Sequence, residues 1–130
     1  MFKKIKYFIQ RGMRGYSDED TWSFDDYLCE IIPPALRKLA KNHCGCGCPT
    51  EFWDSLSKNN ECHKWAEALE TMAQGFESAQ SLKNMSYYKM KKHEDGSYTR
   101  EIDEEMLKNL NLKYNAGILL FSKNFLSLWD

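Results

Sequence analysis

Apolar residues recur along this chain at spacings of three and four positions, which is the period of an amphipathic α-helix. Four such patterns are present, at residues 2–10, 24–42, 61–82 and 103–128. No segment alternates between apolar and polar positions for long enough to predict an extended strand. The pattern therefore predicts an all-α fold, a compact bundle of about four helices in a single domain that spans residues 1–130.

Two segments leave alternatives open. Pro33 and Pro34 interrupt the second pattern, because each lacks an N–H and crowds the carbonyl four residues back. Residues 24–42 are therefore either one kinked helix or two short ones. The Asp-Gly pair within residues 93–100 predicts a turn. The segments beside that turn can pair as a small β-hairpin near 87–102, which is the alternative to a purely helical chain.

Polar residues indicate where several of these elements begin. Ser23 can cap the second helix, with Asp26 three residues later as its reciprocal partner. Asp103 is placed to open the last helix, and Thr50 to cap a short helix within residues 50–57. Gly117 lies inside the last pattern, where glycine is unfavourable, and so indicates the close approach of another backbone.

Composition and charge narrow the class of protein. The chain has 130 residues, 42% of them hydrophobic, and a formal net charge of −1. That charge gives no overall attraction to nucleic acid or to an anionic membrane. No apolar run is long enough to cross a bilayer, and the first residues mix lysines with apolar residues, unlike a secretory signal. We therefore expect a soluble intracellular protein that binds neither membranes nor nucleic acid.

The five cysteines are an odd number, and three of them, Cys44, Cys46 and Cys48, fall within five residues. This distribution favours reduced thiols in a cytoplasm over a disulfide framework. A zinc site is the alternative, with the ligand set Cys44, Cys48, Cys62 and His63. Single glycines separate the clustered cysteines, whereas paired zinc ligands usually have two to four residues between them, a gap that only Cys44 and Cys48 provide, so we expect no metal and no cofactor. The clustered thiols are then dispensable.

Catalytic motifs are missing from the sequence. It contains no glycine-rich phosphate loop, no Gly-x-Ser-x-Gly elbow and no His-Glu-x-x-His. Cys62 and His63 are adjacent, and adjacent side chains on a helix do not face each other. They are therefore not a nucleophile–base pair, and we expect a protein that is not an enzyme.

The segment RGMRGYSDEDTW, residues 11–22, allows two interpretations. In the structural one, Ser17 and Asp20 cap each other, the arginines pair with carboxylates and Trp22 joins the core. In the functional one, the segment binds an anionic nucleotide. Arginine forks and glycine backbones then hold phosphate, aromatic rings stack on a base, and aspartates accept ribose hydroxyls. The candidate ligand-binding residues are Arg11, Arg14, Tyr16, Asp18, Asp20 and Trp22.

Three blocks of this sequence resemble a widespread family of small, uncharacterised proteins from tailed bacteriophages. The most specific block is Arg-Gly-Tyr-Ser-Asp-x-Asp-x-Trp at residues 14–22. The others are HKWAEALETMAQGFE and the closing LLFSKNFLSLWD. The resemblance does not extend to the cysteine-rich loop, and it implies the cytoplasm of an infected bacterial host.

Small phage proteins of this kind often inhibit bacterial immunity. The resemblance therefore implies a protein that sequesters a nucleotide-derived signal, of the cyclic-nucleotide or ADP-ribose type, in a homo-oligomer. One alternative is a protein–protein inhibitor that binds a host defence protein through an exposed apolar helix face. Another is a structural or assembly accessory of the phage.

Overall fold

The computed structural model of this chain describes residues 2–42, 48–52 and 63–129. Within those residues the fold is mainly helical, with one small antiparallel hairpin. The elements in chain order are α1 (Phe2–Arg14), α2 (Phe24–Asn42), a 3-10 turn (Thr50–Phe52), α3 (His63–Lys83), β1 (Tyr88–Lys92), β2 (Tyr98–Ile102), α4 (Glu104–Lys123) and a second 3-10 turn (Phe125–Ser127). The predicted helical architecture is confirmed, and the hairpin that the sequence left open is present.

Helix α3 forms the centre of the fold, because α2 packs against one side of it and α4 against another. Its residues Trp65, Leu69 and Met72 are completely buried. Leu36 of α2 completes this core, and the ring of Phe52 packs on Trp65 with 5.1 Å between ring centroids. The two long helices predicted to pack together, α3 and α4, do so.

The crossing of α3 and α4 depends on two glycines. A β-carbon placed on Gly75 would lie 2.7 Å from the α-carbon of Gly117. Real β-carbons essentially never approach so closely, so neither position has room for a side chain. The prediction that Gly117 permits close approach of another backbone is confirmed.

Ion pairs fix α2 against α3 in an antiparallel arrangement. Arg37 donates to Glu70 at 2.8 and 2.9 Å and also pairs with Glu77. The same bonds hold the pKa of Glu70 below its usual value. At the other end of α2, Lys83 pairs with Asp25 at 2.7 Å and with Asp26 at 2.9 Å.

Several predicted boundaries differ from those observed. Helix α1 extends four residues beyond the predicted 2–10. Helix α2 continues through Pro33 and Pro34 as one helix, which settles that alternative. Helix α4 ends at Lys123 rather than at 128, because Asn124 leaves the helical conformation and bonds back to the Leu120 carbonyl with both its backbone and its side-chain nitrogen.

Helix starts follow the sequence in part. Asp103 caps α4 as predicted, because its carboxylate accepts the N–H of Met106 at 3.0 Å. Ser23 directly precedes α2, but its expected partner Asp26 is turned toward α3, where it meets Lys83 and Gln80. The predicted short helix at 50–57 is described only at Thr50–Phe52, and its remainder lies outside the described residues.

The hairpin links α3 to α4 along the chain, and every residue of its two strands except the half-buried Tyr88 is exposed. Its register pairs Tyr88 with Ile102 and Lys92 with Tyr98. Gly96 takes a positive φ of 81° in the turn, which the Asp-Gly pair predicts. In the described parts of the chain, no helix has the length and apolar character needed to cross a membrane.

Candidate functional site

Helix α1 is attached to the rest of the fold through its polar side. The attachment is made by Lys6, Gln10, Arg11 and Arg14, which bond to residues 15–23, the anchor loop that leads into α2. None of the residues of α1 is buried. This is the reverse of an ordinary surface helix, whose apolar side packs on the core and whose polar side faces water.

Asp20 is the centre of this attachment. It is buried, with 6% of its surface exposed, and its carboxylate accepts the Arg11 Nε at 2.8 Å and the backbone N–H of Ser17 at 2.7 Å. Ser17, fully buried, accepts the Asp20 N–H at 3.3 Å in return. The Arg11 bond, followed by the Ser17 bonds, holds the pKa of Asp20 well below its usual value, and Asp20 raises the pKa of Arg11.

Asp18 makes a second set of bonds to the same side of α1. Its carboxylate accepts Gln10 Nε2 at 2.7 Å, pairs with Lys6 at 3.1 Å and pairs with Arg14. The backbone N–H of Asp18 donates to Gln10 Oε1 at 3.0 Å. These contacts, that of Gln10 first, hold the pKa of Asp18 well below its usual value. Together, Asp18 and Asp20 thus bind four side chains of α1, three of them at Asp18 and one at Asp20.

The two glycines that would bind phosphate in the nucleotide interpretation, Gly12 and Gly15, have structural roles at the C-terminal end of α1. Gly12 lies within the helix. Gly15 adopts a positive φ of 82°, and its N–H closes the helix on the Arg11 carbonyl at 2.9 Å. The hydroxyl of Tyr27 donates to the Gly15 carbonyl, so α2 also holds this turn. The glycine conformation is explained by the helix end alone.

The structure brings the arginines and aspartates of the predicted site together, but as partners of one another. Arg11 bonds Asp20, and Arg14 bonds Asp18. The Arg14 guanidinium also lies over the Tyr16 ring, 4.7 Å from its centroid. Trp22 is 80% exposed, so the expectation that it joins the core is wrong. The predicted Ser17–Asp20 pair is present, although it closes a turn, and α2 begins only at Phe24.

A cavity of about 290 Å³ adjoins the anchor loop. Four carboxylates contribute to its wall, those of Glu19, Asp20, Asp26 and Glu30. Like charges destabilise an anionic ligand in such a site. Asp20 and Asp26 already pair with Arg11 and Lys83, so Glu19 and Glu30 are the carboxylates that disfavour a phosphate-containing messenger in this cavity.

The outward side of α1 carries five apolar residues, which we call the apolar stripe: Phe2, Ile5, Phe8, Ile9 and Met13. Their side chains are between 51% and 90% exposed. The sequence identified most of this face by its helical spacing, but that spacing normally indicates packing onto a core. What the sequence did not predict is that the stripe points away from the protein.

The clustered cysteines supply no metal site in the residues that the structure describes. Cys48 is buried in the core, and its thiol lies 3.6 Å from the Pro49 carbonyl. His63 is the first residue of α3, and Cys44 and Cys62 lie outside the described residues. Among the described residues, no three His, Cys, Asp or Glu side chains are grouped so that they could hold a metal ion.

Comparison with known proteins returns no match to any family model, any curated protein or any solved structure. The resemblance to phage proteins therefore stays a prediction.

Proposed function

We propose that this protein is a non-enzymatic inhibitor that binds a host defence protein through the apolar stripe of α1. The single observation that carries this proposal is the orientation of α1. Its polar side is bonded to Asp18 and Asp20, and its apolar side is left in solvent. The bacterial host is what the resemblance of residues 14–22 to phage proteins implies.

The stripe has the pattern of a helix that binds in a groove. Phe2, Ile5, Ile9 and Met13 follow one another at spacings of three, four and four residues, with Phe8 beside them. Helices that dock in apolar grooves present anchors at these intervals. Full burial of one such side chain contributes about 1.5–3 kcal/mol, so several anchors must act together to exceed the cost of association.

An isolated helix of 13 residues is also marginal in water. Most helices gain their stability by packing an apolar face, which α1 does not do within its own chain. A partner that covers the stripe supplies the missing contact. The anchor loop meanwhile holds α1 in position, which reduces the conformational entropy lost on binding.

The charge of α1 adds to the description of the partner. The helix carries five basic residues and no acidic one, and two of the five, Lys3 and Lys4, take no part in the bonds to Asp18 and Asp20. Cations that flank an apolar stripe accelerate association with an acidic rim and disfavour basic partners. A groove with apolar floor and acidic rim is therefore the surface that α1 fits.

Sequestration of a nucleotide is the competing proposal for the same segment. It requires phosphate to displace Asp18 or Asp20 from the arginines that they now bind. The acidic wall of the adjoining cavity opposes that displacement. Protein binding needs no bond in the structure to break, and we favour it for that reason.

The test is a plating assay on bacteria that carry defined defence systems and express this protein. We expect the wild-type chain to restore phage growth against at least one system. Phe8→Asp, which places a charge in the stripe, removes that effect. Leu112→Asp is the matched control, because Leu112 is equally an exposed apolar residue, 62% exposed, but on α4. Equal activity of Phe8→Asp and wild type contradicts the proposal.

The direct measurement uses the purified defence protein identified by that assay. Gel filtration with the wild-type chain should give a complex, and Phe8→Asp should weaken it by roughly tenfold to a hundredfold, the equivalent of one buried anchor. A second measurement distinguishes protein binding from the sequestration of a nucleotide. The protein is incubated with candidate messengers and then denatured by heat. Recovery of an intact messenger from the wild-type chain favours sequestration and opposes protein binding.

A further inference from the structure

The two faces of the β1–β2 hairpin differ in how their positive charges are balanced. Residues that pair directly across an antiparallel hairpin lie on the same face, so the register divides the side chains into two sets. On one face, Lys91 pairs with Glu101 at 3.1 Å. Lys89, on the same face, pairs with Asp103 at the end of β2. Both lysines of this face are therefore neutralised within the chain.

The opposite face, which we call the cationic face, contains no acidic residue. It consists of Tyr88, Met90, Lys92, Tyr98, Arg100 and Ile102. Among the described residues, neither Lys92 nor Arg100 has a carboxylate partner. Each lies over a tyrosine ring instead, Lys92 at 6.0 Å from the centroid of Tyr98 and Arg100 at 5.1 Å from that of Tyr88. Both positive charges of this face are therefore available to an anion.

The cationic face is open to solvent and partly fixed in geometry. Tyr98 is 58% exposed, so its ring is accessible. Tyr88 is half-buried and contacts the ring of Tyr87, with 5.0 Å between the centroids. It therefore supports the Arg100 guanidinium, whose N–H groups stay free at the edge of its plane. A cation held in this way loses less conformational entropy when it binds a ligand.

These groups are the ones that single-stranded nucleic acids bind. Lysine and arginine contact the phosphates, and unpaired bases stack on tyrosine rings and on guanidinium planes. The row that contains Tyr98 lies four strand residues from the row that contains Tyr88, which corresponds to about 13 Å. This distance favours several nucleotides of one strand over a single nucleotide. A duplex fits less well, because its base faces are already stacked on one another.

We propose that the cationic face binds single-stranded nucleic acid without preference for sequence. Phosphates contact Lys92 and Arg100, and a base stacks on the ring of Tyr98. The net charge of −1 predicted no attraction to nucleic acid, but that sum includes the carboxylates of every other surface. This activity goes beyond the proposed function and uses no residue of the apolar stripe.

An anionic bilayer is the other surface that cations and aromatic rings bind. Two features of the hairpin disfavour it. Only Met90 and Ile102 supply aliphatic side chains to the face, which is little apolar area for insertion. The turn of the hairpin carries the exposed acidic residues Glu94 and Asp95, which an anionic surface repels. The observations therefore favour nucleic acid over lipid.

The first experiment measures binding of fluorescein-labelled oligo(dT) by fluorescence anisotropy at several salt concentrations. We expect the wild type to bind with a dissociation constant in the micromolar range at low salt. Each phosphate contact of a single strand contributes about −0.7 to the slope of log K against log salt concentration, so two contacts give about −1.4. Arg100→Gln and Lys92→Gln should each weaken binding and halve that slope.

Lys91→Gln is the matched control for the charge variants. It removes one positive charge, as Arg100→Gln does, but from the opposite face, where Lys91 is paired with Glu101. We expect it to bind oligo(dT) with the affinity and the salt slope of the wild type. An equal loss in Lys91→Gln and Arg100→Gln overturns the proposal, because overall charge then explains the binding. A wild type that does not bind oligo(dT) at low salt also overturns it.

The second experiment tests base stacking at Tyr98. Tyr98→Leu keeps an apolar side chain beside Lys92 but removes the ring, and it should weaken binding about tenfold. Tyr98→Phe keeps the ring and should bind as the wild type does. Hydrogen exchange of the β1 and β2 amides checks that each variant retains the hairpin. Unchanged binding by a folded Tyr98→Leu overturns the proposal. If Tyr98→Leu loses the hairpin, the salt slopes of Lys92→Gln and Arg100→Gln decide.

Two other ligands complete the test, a duplex of mixed sequence and vesicles of phosphatidylglycerol. We expect weaker binding to each than to oligo(dT). Equal affinity for the duplex, or binding to the vesicles alone, overturns the proposal. Phe8→Asp should bind oligo(dT) as the wild type does, because it changes only the apolar stripe. Loss of inhibition by Phe8→Asp and loss of oligo(dT) binding by Arg100→Gln therefore test the two proposals separately.

Discussion

Gly75 and Gly117 bring the backbones of α3 and α4 into direct contact. A β-carbon on Gly117 would lie 2.5 Å from the Gly75 α-carbon and 2.7 Å from the Thr71 carbonyl oxygen. These are backbone atoms, which cannot move aside as a flexible side chain can. We expect Gly117→Ala to lower the free energy of unfolding by about 1–3 kcal/mol. Urea denaturation measures it.

The control for this prediction is Ala116→Gly, one residue away on the exposed side of α4. That change costs about 1 kcal/mol through helix propensity alone. Gly117→Ala gains the same amount of helix propensity. Any decrease in its free energy of unfolding is therefore caused by the close contact between α3 and α4. A Gly117→Ala chain as stable as wild type contradicts the close contact.

Arg11 and Asp20 hold α1 in place without contributing to the core. We expect Arg11→Ala to increase hydrogen exchange of the α1 amides by about tenfold, because Asp20 stays buried without its guanidinium partner. Exchange in α3 should not change. Lys3→Ala is the control, since Lys3 takes no part in the bonds to Asp18 and Asp20 described above. Equal exchange in both variants argues against the ion pair as the anchor.

Acid should release the same attachment. The pKa of Asp20 is depressed from its ordinary 3.8 in the folded chain, chiefly by Arg11. Its contribution is therefore complete above that value and is lost as the pH falls through the lower, folded pKa. We expect the protease sensitivity of α1 to rise progressively as the pH falls from about 4 toward that lower, folded pKa. Asp20→Asn should show the same sensitivity at neutral pH and a weaker dependence on pH.

Residues 11–22 also permit a direct test of nucleotide binding. If the segment holds a phosphate, Arg14→Ala weakens binding by tenfold to a hundredfold and leaves stability nearly unchanged. The observed bonds predict another result. We expect no calorimetric binding of anionic nucleotides by the wild type. Ser17→Ala should cost about 1 kcal/mol of unfolding free energy, because Ser17 is buried and bonds Asp20. Tight binding of a nucleotide that depends on Arg14 would contradict our preference for protein binding.

The clustered cysteines should differ in their effects on stability. Cys48 packs with Leu36 and Trp65 in the core, so the expectation that all three thiols are dispensable does not fit its burial. We expect Cys48→Ser to lower the free energy of unfolding by about 1–2 kcal/mol, because a hydroxyl is harder to bury than a thiol. Cys48→Ala provides the comparison by thermal melting. A Cys48→Ser chain with unchanged stability would contradict this assignment.

Helical spacing predicted most of the fold because α3, the central helix, buries residues that recur at that spacing, such as Leu69 and Met72. Asp103 was identified as a helix start because a capping carboxylate needs only local bonds. The end of α4 was missed, since Asn124 bonds back to Leu120 where the apolar pattern continues to Leu128.

The candidate site was predicted less completely. The sequence brought Arg11, Arg14, Asp18 and Asp20 into one segment, but side-chain type alone does not decide whether opposite charges bind a ligand or each other. The apolar face of α1 was also visible in the spacing of Ile5 and Ile9. A repeating pattern shows that a face is apolar, but what covers it depends on tertiary contacts that the pattern does not contain.

Because the polar side of α1 makes its attachment, the exposed apolar side chains of the stripe are separate from those that stabilise the fold. Phe8 and Met13 are exposed, so substitutions at these positions leave the packing of the buried residues unchanged. The stripe can therefore diverge rapidly as a binding target changes, while Trp65 and its neighbours remain constrained by packing. Under the proposed function, such an inhibitor follows an evolving host protein without first acquiring compensating mutations in its core.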